Sequence, residues 1–394
     1  MITPVTTQAA HNVFLRACSA LQPQDWDGQE ATLRAVDLKG WELVSKLAVQ
    51  HGLLGLVARN LEWAQQRTGI SIPTLRRLTT WRQGQLVQML VYRKAARRIG
   101  EALAAGGVRF VIFKGMALVE QVYGDLSLRA FRDCDILVER DRLEGAYAIL
   151  RELGYSLSLH DSLQDYLVRN KSGANMSHSD GSSVDLHWAI QGYEMPPSDP
   201  DIIWRNCRPS TPPDELPGWR MSPELTLINV AAHFQVHEYE EFKPLVDFYL
   251  TAVRLGTQID VEDMFRTARS LHMLQTVDFA ARLSDRFFVP NPLVRRLAVG
   301  KPSMHARLAC SILTRKSLLR VVRIRPTERR LRGLICSGTA FASAKAFRKM
   351  LAPTAGELEL RFGRRFDLGM YPRYYLVQGY RLFGRTRKPF SDLA

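Results

Sequence analysis

At 394 residues the chain is long enough for two or three domains and a sizeable core, and its 46% hydrophobic and 24% charged residues are those of a soluble globular protein. No apolar run approaches about 18 residues, the N-terminus lacks a basic stretch followed by an apolar one, and the cysteines (Cys18, Cys134, Cys207, Cys310 and Cys336) form no CxxC pair. A membrane span, a secretory signal, a disulfide scaffold and a zinc site are therefore not expected, and a reducing cytoplasm is. The net charge of +15 is concentrated from Lys301 onward, with about 21 Lys and Arg against about 5 Asp and Glu, a field that suits either a polyanionic partner or a solubilising surface.

In chain order, residues 1–105 read as helical, with apolar residues at helical spacing in "WELVSKLAVQHGLLGLVARNLEWAQQ" and Gly106-Gly107 as the stop. The texture changes at residue 108. "VRFVIFKG" predicts a strand, "MALVEQVYG" a short helix closed by Gly124, and "RDCDILVE" a second strand. "RDRLEGAYAILRELGY" predicts an amphipathic helix, "YSLSLHD" a third strand, and "NMSHSDGSSVDLHWAI" a hairpin turning at Asp180-Gly181. A Pro-rich passage at 193–221 reads as a surface connection. Helices resume at 222, with Ser222 as N-cap and Pro223 at the first helical position, and run into the basic C-terminal region. The expected organisation is a helical region 1–105, an α/β core 106–192, the connection 193–221 and a helical, basic region 222–394.

Three Asp-x-Asp triplets occur: Asp25/Asp27, Asp133/Asp135 and Asp199/Asp201. The first and third lie among turn-forming residues, where caps or solvated loops are expected. The middle one lies on an apolar strand, where residues two apart share a face. Two carboxylates crowded there repel, and a hard divalent cation removes the conflict. Asp185, between Val184 and Leu186 on another predicted strand, supplies a third acid, enough in principle for two metal ions clamping a phosphoryl displacement. His187 shares its face, either to orient a carboxylate or contact substrate, or as a partly buried packing histidine. Lys114-Gly115 ends a strand and opens a helix, a setting that can hold phosphate oxygens, although no Walker A loop is present. Arg129 and Arg132 are candidates either for phosphate binding or for neutralising the acids. His233 and His237, four apart, lack the glutamate of HExxH and read as a helix face lining a cleft, or as packing.

The segments "KGMAL", "YGDLSLR", "RDCDILV" and "VDLHW" together resemble the uncharacterised bacterial nucleotidyltransferase family proteins of the polymerase-β-like superfamily. The resemblance implies an α+β fold, with a small mixed sheet and helices flanked by helical regions. It implies metal-dependent transfer of NMP from an NTP, ATP foremost, to a hydroxyl or phosphate acceptor on a small molecule, peptide or other biosynthetic substrate. Asp133, Asp135 and Asp185 would be the catalytic, metal-holding acids for Mg²⁺ or Mn²⁺. Lys114 and Gly115 would hold the triphosphate, with Arg129, Arg132 and His187 also counted as candidates for the nucleotide. Lys114-Gly115-Met116 departs from the superfamily's usual Gly-Ser, in the manner of this branch. Two alternatives stand beside this: kinase-like phosphoryl transfer on the same fold, and a non-catalytic module binding nucleic acid or a partner, the nucleic acid not favoured.

Overall fold

The computed structural model describes residues 4–157, 162–169, 172–190, 199–211, 216–237, 241–298, 300–302 and 304–319, with residues 348, 352–353, 358 and 367–375 further on. Its strands are β1 (Phe110–Phe113), β2 (Cys134–Val138), β3 (Gly173–Ser177), β4 (Ser183–His187), β5 (Cys207–Pro209) and β6 (Trp219–Met221). They form one mixed sheet in the order β3-β4-β2-β1-β6-β5. β1 and β2 are antiparallel, with Ile112 opposite Ile136; β2 and β4 are parallel; β3 and β4 make the hairpin expected around Asp180-Gly181.

The two faces of the sheet bury different layers. Phe110, Ile112, Ile136, Val184 and Leu186 pack with Ile99 and Leu103 of the long Leu75–Ala105 helix and with Ala146 and Leu150 of the Leu143–Glu152 helix. Val111, Phe113 and Leu137 point the other way, into a second core shared by N-terminal helices and by the Pro223–Val236, Lys243–Arg254 and Leu274–Phe287 helices. Both faces of β2 are therefore covered, which is why its sequence is a continuous apolar run broken by acid. Ser222 caps the Pro223–Val236 helix through Leu225 N, with Pro223 at its start, as the sequence predicts.

The Pro-rich passage differs from the expectation of a plain connection. It carries the Pro200–Arg205 helix and strands β5 and β6, the latter parallel to β1 with Trp219 opposite Val111. Two of its prolines stand where no N–H is required, Pro200 in the first turn of a helix and Pro209 at the end of an edge strand. Arg109 fastens the passage to the sheet: its guanidinium lies 3.7 Å from the Trp219 ring and 4.6 Å from that of Trp204, and it pairs with Glu139 at 3.1 Å. Of the third strand expected at 155–161, Ser156 forms a bridge to Ser177, and residues 158–161 lie outside the described residues. So does most of the basic region beyond Lys301. The remaining Asp-x-Asp triplets serve caps and a surface ion pair: Asp25 accepts from Leu21 N, Asp27 pairs with Arg67, and Asp199 accepts from Asp201 N.

Gly55, in the Leu54–Thr68 helix, touches the loop that leads toward β2 so closely that a Cβ would stand 1.8 Å from the Ser127 carbonyl oxygen. Gly84, exposed inside the Leu75–Ala105 helix, has nothing within 4 Å of its Cβ position. Gly55→Ala is thus expected to destabilise the protein by about 2 kcal/mol or more through backbone displacement. Gly84→Ala should stabilise it by about 0.5–1 kcal/mol. Urea unfolding midpoints of the two variants check the contrast.

Candidate active site

The site begins where β1 ends. Lys114 has φ 52° and ψ −122°, a region that side-chain-bearing residues rarely adopt and that costs about 1–3 kcal/mol. That backbone turns the ammonium onto β2, where Nζ donates to Asp135 Oδ1 at 2.8 Å. Gly115 follows because its backbone lies against Phe131: a Cβ there would meet the Phe131 Cβ at 2.7 Å.

Strand register brings the acids together. Asp135 lies directly opposite Asp185 in the parallel β2–β4 pair, opposite Phe113 on β1, while Asp185 faces Asn175 on β3. Residues paired across neighbouring strands point to the same face, so the two carboxylates share one surface. His187 Nε2 reaches between them, 3.3 Å from Asp135 Oδ1 and 3.6 Å from Asp185 Oδ2, with its ring edge-on to Phe113. Asn175 Nδ2 donates to Asp185 Oδ1 at 3.3 Å. Asp133 precedes the strand and is half-buried.

The electrostatics follow from these contacts. Burial works against the charge of Asp135, yet Lys114 and His187 hold its carboxyl well below the usual range. Asp185 is likewise lowered, with His187 outweighing burial. For Asp133 the balance is reversed: burial, then the charges of Asp135 and Asp185, push it up to about 6. His187 is raised, its two carboxylate contacts prevailing over burial and the adjacent Lys114. Carboxylate oxygens and the imidazole of Asp135, Asp185 and His187 lie within 4.8 Å of one another, close enough to share a cation, and Asp133 stands outside that tight group.

Arg129 is not directed at this surface as a free cation. Its side chain is 3% exposed and that of Asp247 1%. Nε and Nη2 each donate to an Asp247 oxygen at 2.8 Å, and the Tyr123 hydroxyl donates to the same carboxylate at 2.6 Å. Arg132 is exposed, and its carbonyl accepts from Ser183 Oγ. Of the residues predicted from sequence, Lys114, Asp135, Asp185 and His187 converge and Asp133 borders them; Gly115 lies beside Arg129, whose Nη1 would stand 3.2 Å from a Cβ there while Nε and Nη2 are held by Asp247, and Arg132 is exposed.

The C-terminal helices complete the wall. His233 stands edge-on to His237 at 4.4 Å between ring centroids, and burial followed by the charge of Lys114 pulls its pKa well down. Lys243 was not singled out by the sequence, since a lone lysine before proline carries no pattern. It stands close enough for its charge to act on Asp133, and burial, then Arg129, lowers its own pKa.

The family described as "Uncharacterised nucleotidyltransferase" matches residues 37–289, a span that holds strands β1 to β6 and the helices around the site. No curated protein matches the chain. Among solved structures, the solution structure of the antibiotic-resistance factor ANT(2'')-Ia is similar over 48% of this chain and 94% of that chain, at 18% identity and a TM-score of 0.34, a likeness too distant to carry an assignment.

Removing one partner of a buried ion pair strands the other charge, so Asp247→Ala is expected to destabilise the protein by about 3–5 kcal/mol in denaturant titrations. In metal-free protein Lys114→Gly and Lys114→Ala lose the same cation, but glycine releases the backbone strain. The glycine variant should be the more stable by about 1 kcal/mol, and equal midpoints would mean that the Lys114 backbone is unstrained.

Proposed function

The chain belongs to the family of uncharacterised nucleotidyltransferases, and from that premise we propose that the cleft formed by β1, β2 and β4 moves NMP from an NTP, ATP foremost, to a hydroxyl or phosphate oxygen of an acceptor. The observation that carries this is the Asp135–Asp185 register, with Lys114 on one carboxylate and Asp133 crowded beside both. The donor set fits Mg²⁺ or Mn²⁺: oxygens of several acids on one surface, one of them pushed up toward neutrality by its neighbours, with the Lys114 ammonium supplying positive charge there in the free protein. Asp133, Asp135 and Asp185 would hold the ion. When bound, such an ion polarises the phosphorus under attack and takes up charge on the departing pyrophosphate.

The chain's own groups supply the rest. Asp185 has the more open of the two paired side chains, at 32% against 7% exposed for Asp135, and it accepts the proton of the acceptor hydroxyl. The acceptor oxygen bonds to the α-phosphorus, the bond from that phosphorus to the bridging oxygen breaks, and pyrophosphate leaves with the electron pair. Lys114 donates to triphosphate oxygens, beside the Gly115 amide. His187, with Nε2 set between Asp135, Asp185 and the Lys114 ammonium, steadies the two carboxylates. The acceptor belongs to the small molecules, peptides or other biosynthetic substrates.

The test supplies NTPs labelled at the α-phosphorus, Mg²⁺ and a panel of candidate acceptors. Label should appear in the acceptor with release of pyrophosphate, cease on chelation, and fall by about a thousandfold or more in Asp135→Asn protein whose thermal melt remains cooperative. Full transfer by Asp135→Asn would sink the proposal, and transfer of only the γ-phosphate would make the reaction a kinase's.

A further inference from the structure

We propose that Lys243, on the C-terminal helical layer, is a phosphate-binding residue of this cleft, its ammonium donating to the triphosphate of the nucleotide; the inference rests on the nucleotidyltransferase reading of the site. Lys243 opens the Lys243–Arg254 helix, and its stem crosses the His51-Gly52 turn of the N-terminal layer. The Lys243 side chain lies along this turn at contact distance: a Cβ on Gly52 would stand 3.5 Å from Lys243 Cδ and 3.6 Å from Nζ, and the glycine itself is favoured by its φ of 65°. The turn is held there by Phe242 N donating to His51 Nδ1. Lys243 Nζ makes one long hydrogen bond, 3.5 Å to the Ala130 carbonyl, three residues before Asp133. Among the described residues no carboxylate lies within ion-pair distance of it.

The nearest acid on its own helix is not available. Asp247, one turn on, has both oxygens taken by Arg129 and one also by Tyr123. Glu241 contributes at longer range and stands 3.9 Å from His237. An ammonium with three donors and one weak acceptor, set in a half-buried cleft, is under-paired. Asp133 does not complete it either. With a divalent cation among three carboxylates, little negative charge remains there for both Lys114 and Lys243. The groups that can satisfy two lysines beside a metal-neutralised acid cluster are phosphate oxygens.

The experiment is calorimetric titration of the full chain with two probes, α,β-methylene ATP with Mg²⁺ and inorganic tripolyphosphate without metal. Lys243→Gln is expected to weaken both by about tenfold to a hundredfold, the share of one charge-assisted hydrogen bond, while Lys243→Arg stays within a few-fold. If Lys243→Gln fails to melt cooperatively, Lys243→Met, which keeps the stem on Gly52, takes its place. The same substitution is then made in Asp133→Asn protein and titrated with tripolyphosphate. A loss that persists supports direct phosphate contact. A loss that vanishes makes Lys243 a counter-ion of Asp133 and overturns the proposal, as does unchanged binding in the single variant. Wild-type protein that binds neither probe refutes the nucleotidyltransferase reading itself, an outcome distinct from both.

Discussion

The buried pair of Arg129 and Asp247 is the constraint on which the arrangement depends. Neither charge tolerates burial alone, so the loop before β2 and the Lys243–Arg254 helix must be together or the charges must be wet. The same loop is gripped elsewhere: Gln85 donates to the Ser127 carbonyl from the long N-terminal helix, and Gly55 allows the next helix to lie against that carbonyl. Three helical elements thus fix a short loop, and that loop delivers Asp133 and Asp135 to the sheet edge. The helical layers are in this sense part of the site's construction.

The sheet edge itself is a compromise between crowding and compensation. Register forces Asp135 and Asp185 side by side, and Lys114 and His187 offset the repulsion for those two. Asp133 receives less and keeps a raised proton affinity. Lys114 reaches its position through a backbone conformation better suited to glycine. Strain at one residue and under-compensation at another, within a few ångströms, is the pattern of a surface organised around something other than its own stability.

Much of this was legible in the sequence because it is local. The two-residue period of a strand tells that Asp185 and His187 share a face, and the run of β-branched and apolar neighbours tells that β2 is covered, while Asp133 falls just before that strand. Ser222-Pro223 and Asp180-Gly181 announce their elements for similarly local reasons. The rest depends on partners distant in the chain. Nothing near Arg129 in the sequence tells that Asp247, 118 residues on, engages its Nε and Nη2. Trp219 pairs with β1 from a stretch whose prolines suggest a loop, and only the fold reveals that Pro200 and Pro209 stand where an N–H is dispensable. Lys243 has no motif at all. Its role is proposed from contacts with Gly52 and Ala130, two segments far from it in the chain.

The Arg129–Asp247 pair also bears on how the chain is made. Synthesis proceeds at roughly 5–20 residues per second, so about ten seconds separate the emergence of the loop from that of the helix that neutralises it. Through that interval the nascent chain carries strands β1, β2 and β4 but lacks the counter-charge that seats the loop between them. The acidic sheet edge is therefore finished late, after most of the sheet is available, and a chain interrupted before the Lys243–Arg254 helix is left with an arginine that must stay in water. Long-range closure of this kind slows folding, and it ties assembly of the cleft to near-completion of the region on which its chemistry would depend.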